Sequence, residues 1–165
     1  MGMKQKLESA YTLLTSDEQI ARLLYYPPSQ FSNNFTDPLS PTLPNIQDME
    51  IEARWDILDK RIKPVPKSLE TIEEELCLLF IYAGLRQPTN NYYTSTQEII
   101  IDVLCHENYE KDSRSAWLSD RINEVLDKQR IAGFGKVSYV SGRPISAPQN
   151  FVGFRHIFKV GELHR

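Results

Sequence analysis

The chain has 165 residues, 41% of them hydrophobic and 25% charged, which is the size and composition of one ordinary globular domain with room for a sizeable core. Its formal net charge of −3 excludes a protein that holds nucleic acid by overall attraction, since that requires a marked excess of Lys and Arg. The charge is unevenly spread: from Lys128 onward seven bases (Lys128, Arg130, Lys136, Arg143, Arg155, Lys159, Arg165) face one acid, Glu162, so this part carries +6 and the rest carries −9.

The first residues, Met1-Gly2-Met3-Lys4-Gln5-Lys6, lead into polar helix rather than an apolar leader. Leu7, Ala10, Tyr11 and Leu14 mark a first helical face, and Thr15-Ser16-Asp17-Glu18 has the spacing of a capping box that starts a second short helix. Ile20, Leu23 and Leu24 give that helix its buried stripe, and Pro27 and Pro28 end it by removing backbone donors. The proline-rich stretch from Pro27 to Ile46 also carries Phe31, Phe35, Leu39 and Leu43, which a free linker has no use for, so it is expected to drape over the domain. Ile51, Trp55, Leu58 and Ile62 follow i, i+4, i+7, i+11 and predict a third helix, stopped by Pro64 and Pro66.

Leu76 to Ala83 is a continuous apolar run that reads as a strand buried on both faces. Glu73-Glu74-Glu75 before it reads as a solvated charge run. Arg86 to Gln97 then reads as a polar loop. Glu98 to His106 alternates: Ile99, Ile101, Val103 and Cys105 share one strand face. Leu118, Ile122, Val125 and Leu126 put an apolar stripe on the helix that follows, which is expected to end near Gly133-Phe134-Gly135. Two strands close the chain, Lys136 to Val140 and Phe151 to Val160, joined by a ten-residue loop, Ser141 to Asn150. On the last strand Val152, Phe154, Phe158 and Val160 form the core side, while Arg155 and Lys159 lie on the other.

The predicted fold is α+β: a mostly antiparallel sheet of four to five strands with a packed amphipathic helix, in the order β-β-α-β-β, behind an N-terminal helical region. Residues 1–63 form the helices and the proline-rich arm, packed on an α+β core of residues 64–165 in a single domain. Cys77 and Cys105 lie in apolar strand runs without metal-ligand spacing and are expected to be buried free thiols in a reducing compartment. No run approaches the roughly 18 apolar residues of a membrane span, so the expectation is cytoplasmic synthesis without a membrane partner.

Enzyme signatures mostly fail. Gly133-Phe134-Gly135-Lys136 has phosphate-loop composition but follows a helix and precedes a strand, the reverse of what presents amides to a phosphate. The one acidic constellation is Glu98, Asp102, His106 and Glu107, the first three on one strand face, where a metal-dependent nuclease would hold its ion and activate water. The plain alternative is the wet side of a half-buried strand. His156 sits among Val152, Phe154, Phe158 and Val160 and reads as a hydrogen-bonded core or edge residue, and Trp55 and Trp117 read as core.

The arrangement of residues 62–160 resembles the tail terminator or tail-completion proteins of long-tailed bacteriophages and related contractile particles. The resemblance rests on the helical element Leu13 to Tyr25, Arg61-Ile62-Lys63-Pro64, the strands Leu76 to Ala83 and Glu98 to His106, and the helix with Arg114, Trp117, Leu118, Arg121 and Ile122. It continues through Gly133-Phe134-Gly135 into Phe151-Val152-Gly153-Phe154-Arg155-His156-Ile157-Phe158. It implies a homo-oligomeric ring, usually six-fold, in the virion neck, assembled in the host cytoplasm. Such a ring caps the tail tube, with a sheath beside it in contractile tails, and docks on the head-completion or connector protein. DNA passes through its lumen without sequence-specific binding. The long arm from Pro27 to Ile46 leaves a different neck position, that of a head-completion or stopper protein, as an alternative. No catalytic residue, cofactor or metal follows from the resemblance. The residues expected at a subunit or neck/tail interface are Arg86, Asn90, Tyr92 and Tyr93 of the first polar loop together with Lys136, Arg143, Gln149 and Arg155 of the basic hairpin. A metal-dependent nuclease and a small regulatory or ligand-binding module are the competing classes.

Overall fold

The computed structural model describes residues 2–28, 37–66, 74–89, 94–127 and 136–163. The elements run α1 (Met3–Ser16), α2 (Glu18–Tyr25), α3 (Ile51–Arg61), β1 (Ile62–Lys63), β2 (Cys77–Pro88), β3 (Thr94–His106), α4 (Arg114–Leu126), β4 (Val137–Ile145) and β5 (Phe151–Leu163). The sheet has five strands in the order β1-β2-β3-β5-β4, antiparallel throughout except for the short parallel pairing of β1 with β2. The α+β architecture expected from the sequence is therefore the one observed.

The helices cover one face of this sheet. Cys77, Leu79 and Ile81 on β2, Ile99, Ile101, Val103 and Cys105 on β3, and Phe158 and Val160 on β5 point to that side and are buried. Leu118, Ile122 and Leu126 of α4 close over them, and each such side chain taken fully out of water contributes roughly 1.5–3 kcal/mol. The two cysteines stand directly opposite one another in the β2–β3 register, free and buried. On the opposite face Leu78, Phe80 and Leu104 form a smaller apolar cluster, so β2 is buried on both sides over Cys77–Ile81, which accounts for its unbroken apolar run.

The helix starts differ from expectation in one detail. Thr15 is still inside α1, its hydroxyl donating to the Tyr11 carbonyl at 2.9 Å, and the cap of α2 is Asp17, whose carboxylate accepts from the Ile20 N–H at 3.0 Å. With only Asp17 between the two helices, the acidic residue nearest the free amides takes the cap. Helix α3 forms as predicted but two of its four marker residues are not on its buried side: Ile51 is 69% exposed in the first turn, and Ile62 has already passed into β1.

Strand extends into both of the expected polar loops. β2 continues past a bulge between Ala83 and Arg86, pairing Arg86 with Gln97, Gln87 with Thr96 and Pro88 with Ser95. β4 runs on through a second bulge, between Tyr139 and Ser141, as far as Ile145. Arg86–Pro88 and Ser141–Pro144 are exposed, the latter on the edge strand of the sheet, so polar residues are tolerated in them and their composition imitates a loop.

The described part of the proline-rich arm is anchored as expected. Arg22, itself almost fully buried, donates to the carbonyls of Ser40 (2.9 Å), Leu43 (3.1 Å) and Pro38 (3.4 Å), and Tyr26 donates its hydroxyl to the Pro44 carbonyl at 2.6 Å. Leu39 packs on the core and Ile46 is fully buried. Phe31, Phe35 and Gly133-Phe134-Gly135 lie outside the described residues. Among the described residues no helix is long and apolar enough to cross a membrane.

Candidate functional site

Strand alternation places Tyr82, Asp102, Arg143 and Arg155 together on the sheet face that the helices leave open. Asp102 lies directly across from Arg155, and Arg155 lies directly across from Arg143. The Arg155 guanidinium grips the Asp102 carboxylate in parallel, Nε to Oδ1 at 2.8 Å and Nη2 to Oδ2 at 3.1 Å. Tyr82 adds a third donor, its hydroxyl to Oδ2 at 2.7 Å. Asp102 is 1% exposed, so an ionised carboxylate is held here only because all three donors converge on it. Burial first, and then the hydrogen bond to Asp102, push the Tyr82 hydroxyl up to about 12, which keeps it a donor at neutral pH. The same carboxylate raises the pKa of Arg155 above its already high ordinary value.

Arg143 is the unbalanced member. It is exposed, faces Arg155, and among the described residues has no ionic or hydrogen-bonding partner. Like charges directly opposite one another on neighbouring strands are unfavourable, and Asp102 neutralises only one of the two. Together with Pro66, Pro144, Ile145 and Ser146 these four side chains line a recess of about 480 Å³. Its net charge of one positive unit and the unused planar fork of Arg143 suit a carboxylate or phosphate oxygen pair.

Of the expected interface residues that lie among the described ones, Arg143 and Arg155 come together. Arg86 is exposed on the outer extension of β2, Lys136 is exposed at the start of β4, and Gln149 is exposed in the turn between β4 and β5. Asn90, Tyr92 and Tyr93 lie outside the described residues. Arg155 is not a free surface base, as expected of a basic hairpin, but the structural partner of Asp102. Sequence reasoning missed Tyr82 and the true role of Asp102. The available signal was an aspartate inside Ile99-Ile100-Ile101-Asp102-Val103-Leu104, since a charge at the centre of an apolar strand requires a partner.

Glu98, Asp102 and His106, the residues of the metal-binding alternative, are each engaged in contacts within the chain. Glu98 accepts the Leu85 N–H at 3.0 Å, Asp102 accepts three hydrogen bonds from Arg155 and Tyr82, and His106 accepts the Asn108 N–H on Nδ1 at 3.2 Å while stacking edge-on against Phe151. Glu107 points to solvent. Among the described residues no group of three or more His, Cys, Asp or Glu is placed to hold a metal ion.

Two comparisons with known proteins match this chain. The YomW family model matches residues 17–160. The SPbeta prophage-derived uncharacterized protein YomW of Bacillus subtilis (strain 168) is 32% identical over 168 aligned positions, covering 95% of this chain and 95% of the relative. The matched region spans α2 to α4, β1 to β4 and β5 as far as Val160. The chain belongs to the YomW family and is phage-derived.

Proposed function

We propose that this member of the YomW family is a structural virion protein of the phage neck, a tail-completion subunit that closes with copies of itself into a ring between tail tube and head connector. The observation that carries the reading is Arg143: an exposed guanidinium opposite a second arginine, in a shaped recess, with no anion of its own among the described residues. A chain whose C-terminal part is basic and whose remainder is acidic has such an anion on a second copy of itself. A closed ring uses heterologous contacts, in which two different patches of one subunit complement each other, and opposite charge fixes their register.

The outer strand supports a closed assembly over a fibre. β4 ends the sheet and is exposed from Ser138 to Pro144, yet the bulge after Tyr139, the charge of Arg143 and the missing N–H of Pro144 interrupt continuous strand pairing along it. Side-chain contacts rather than an added strand then carry the subunit interface. Passage of DNA through the lumen and docking to tube and connector proteins belong to the same reading. Native mass spectrometry and negative-stain imaging of the purified chain test it: a closed ring of defined stoichiometry is expected, with Arg143→Glu shifting the population toward monomer. A strictly monomeric wild-type protein at every concentration tried, alone and with tail tubes, would remove the reading.

A further inference from the structure

A second concavity lies on the other face of the sheet, where α4 passes over β4 and β5. It encloses about 530 Å³ and is lined by Ser115, Ala116, Ser119, Asp120, Asn123, Tyr139, Phe154 and His156. Its serine hydroxyls are committed within the protein, Ser119 to the Ser115 carbonyl at 2.6 Å and Ser115 to Glu110 at 3.0 Å. Three acceptors are not. His156 is 3% exposed and its Nε2 has no partner; Oδ1 of Asn123 is buried without a donor; and Asp120 is an exposed carboxylate with no ion pair among the described residues. Tyr139 and Phe154 flank His156 with ring centroids 5.9 and 5.0 Å from it, so aromatic surface borders these acceptors.

We propose that this groove is a socket for a guanidinium side chain, and that its occupant is Arg143 of a second copy of the chain. The assignment rests on the ring reading above and names the contact that would close it. A guanidinium has five donors and no acceptor, which is the complement of a carboxylate, an amide oxygen and an imidazole lone pair, and its planar face stacks on aromatic rings. In the tautomer with the proton on Nδ1, directed at the Tyr139 oxygen 3.4 Å away, Nε2 of His156 presents that lone pair. Burial lowers the His156 pKa and favours the neutral ring such a role requires. Arg143 projects from the opposite face of the same β4–β5 hairpin, so each subunit would carry a knob and a socket, the head-to-tail arrangement of a cyclic assembly.

The experiment is a charge exchange read by sedimentation velocity and native mass spectrometry on the full chain, with circular dichroism to verify folding. Asp120→Arg and Arg143→Asp should each weaken self-association by at least about tenfold, because each sets like charges against one another. The double exchange in one chain, or an equimolar mixture of the two single variants, should recover association. If the wild type forms rings and Asp120→Arg together with Asn123→Leu leaves them unchanged, the socket is wrong and the ring reading stands. If the wild type is monomeric, the ring reading fails, and with it Arg143 of a second copy as occupant. Titration of N-acetylarginine amide against N-acetylglutamine amide, followed by the His156 ring nitrogens in NMR, then decides the socket chemistry alone: selective binding of the arginine compound retains it, and equal or absent response eliminates it.

Discussion

Asp102 and Arg155 come from strands separated by the whole of α4 and β4, yet they meet through two parallel hydrogen bonds of 2.8 and 3.1 Å at the centre of the open sheet face. This pair divides the basic hairpin into two kinds of arginine. Arg155 is a structural cation whose charge is balanced within the chain, and Arg143, directly across from it, has no counter-ion among the described residues. A double reversal of both residues therefore mixes a folding defect with an interface defect, and the single Arg143 variants are the clean probes of assembly.

Asp102→Ala should destabilise the subunit by roughly 2–3 kcal/mol, because it leaves the Arg155 guanidinium and the Tyr82 hydroxyl without their shared acceptor. Arg143→Ala, on an exposed side chain with no partner among the described residues, should change stability by no more than about 0.5 kcal/mol. Urea unfolding of both variants checks the contrast; equal losses would mean that the two arginines are not different in kind.

Arg114 should be more sensitive still. It is fully buried at the first turn of α4, and its Nη1 donates to the carbonyls of Leu23 and Tyr26 while Nη2 pairs with Asp112 at 2.7 Å. Those carbonyls belong to the C-terminal end of α2, where a helix has no acceptors' partners of its own. Arg114→Leu is expected to cost about 3 kcal/mol, since it strands both Asp112 and the end of α2. Thermal unfolding of the variant, with hydrogen exchange reporting selective opening of α2, measures it.

Arg22 ties the proline-rich arm down through three carbonyls. Arg22→Ala should release residues 37–44 while the sheet stays intact. Limited proteolysis and hydrogen exchange are expected to show new cleavage and faster exchange confined to that segment; unchanged protection would show that Leu39 and Tyr26 hold the arm without it.

His156 makes stability depend on pH. Burial lowers its pKa below the ordinary 6.5, opposed by the carboxylates of Asp102 and Asp120, with the Tyr139 hydroxyl 3.4 Å from Nδ1. A base with a depressed folded-state pKa binds fewer protons folded than unfolded, so its contribution to stability is complete above pH 6.5 and is lost as the pH falls from there toward the folded-state value. Melting temperatures between pH 7.5 and 5 should fall for the wild type, and part of that slope should disappear in His156→Gln. An identical slope in both proteins would place the acid sensitivity elsewhere.

Periodicity alone determined the layered core. The alternation of Ile99, Ile101, Val103 and Cys105, and the stripe of Leu118, Ile122 and Leu126, each expose an apolar surface that has no stable state except against the other, so the helix-on-sheet unit is legible in the linear chain. So is the doubly buried run of β2. The strand extensions over Arg86–Pro88 and Ser141–Ile145 were not legible, because these segments are mostly exposed and are held by backbone pairing and bulges that leave no hydrophobic period.

The candidate site was legible even less. Sequence marks Arg143 and Arg155 as equal members of a basic segment, and offers Glu98, Asp102 and His106 as a metal cluster, since spacing by twos is all that a strand reveals. Strand order decided otherwise: by placing β5 between β3 and β4 it set Arg155 within reach of Asp102 and left Arg143 one strand further out. Which charge is spent inside the subunit, and which stays available to a neighbour, depends on lateral neighbours in the sheet, and those are fixed by pairing between residues far apart in the chain.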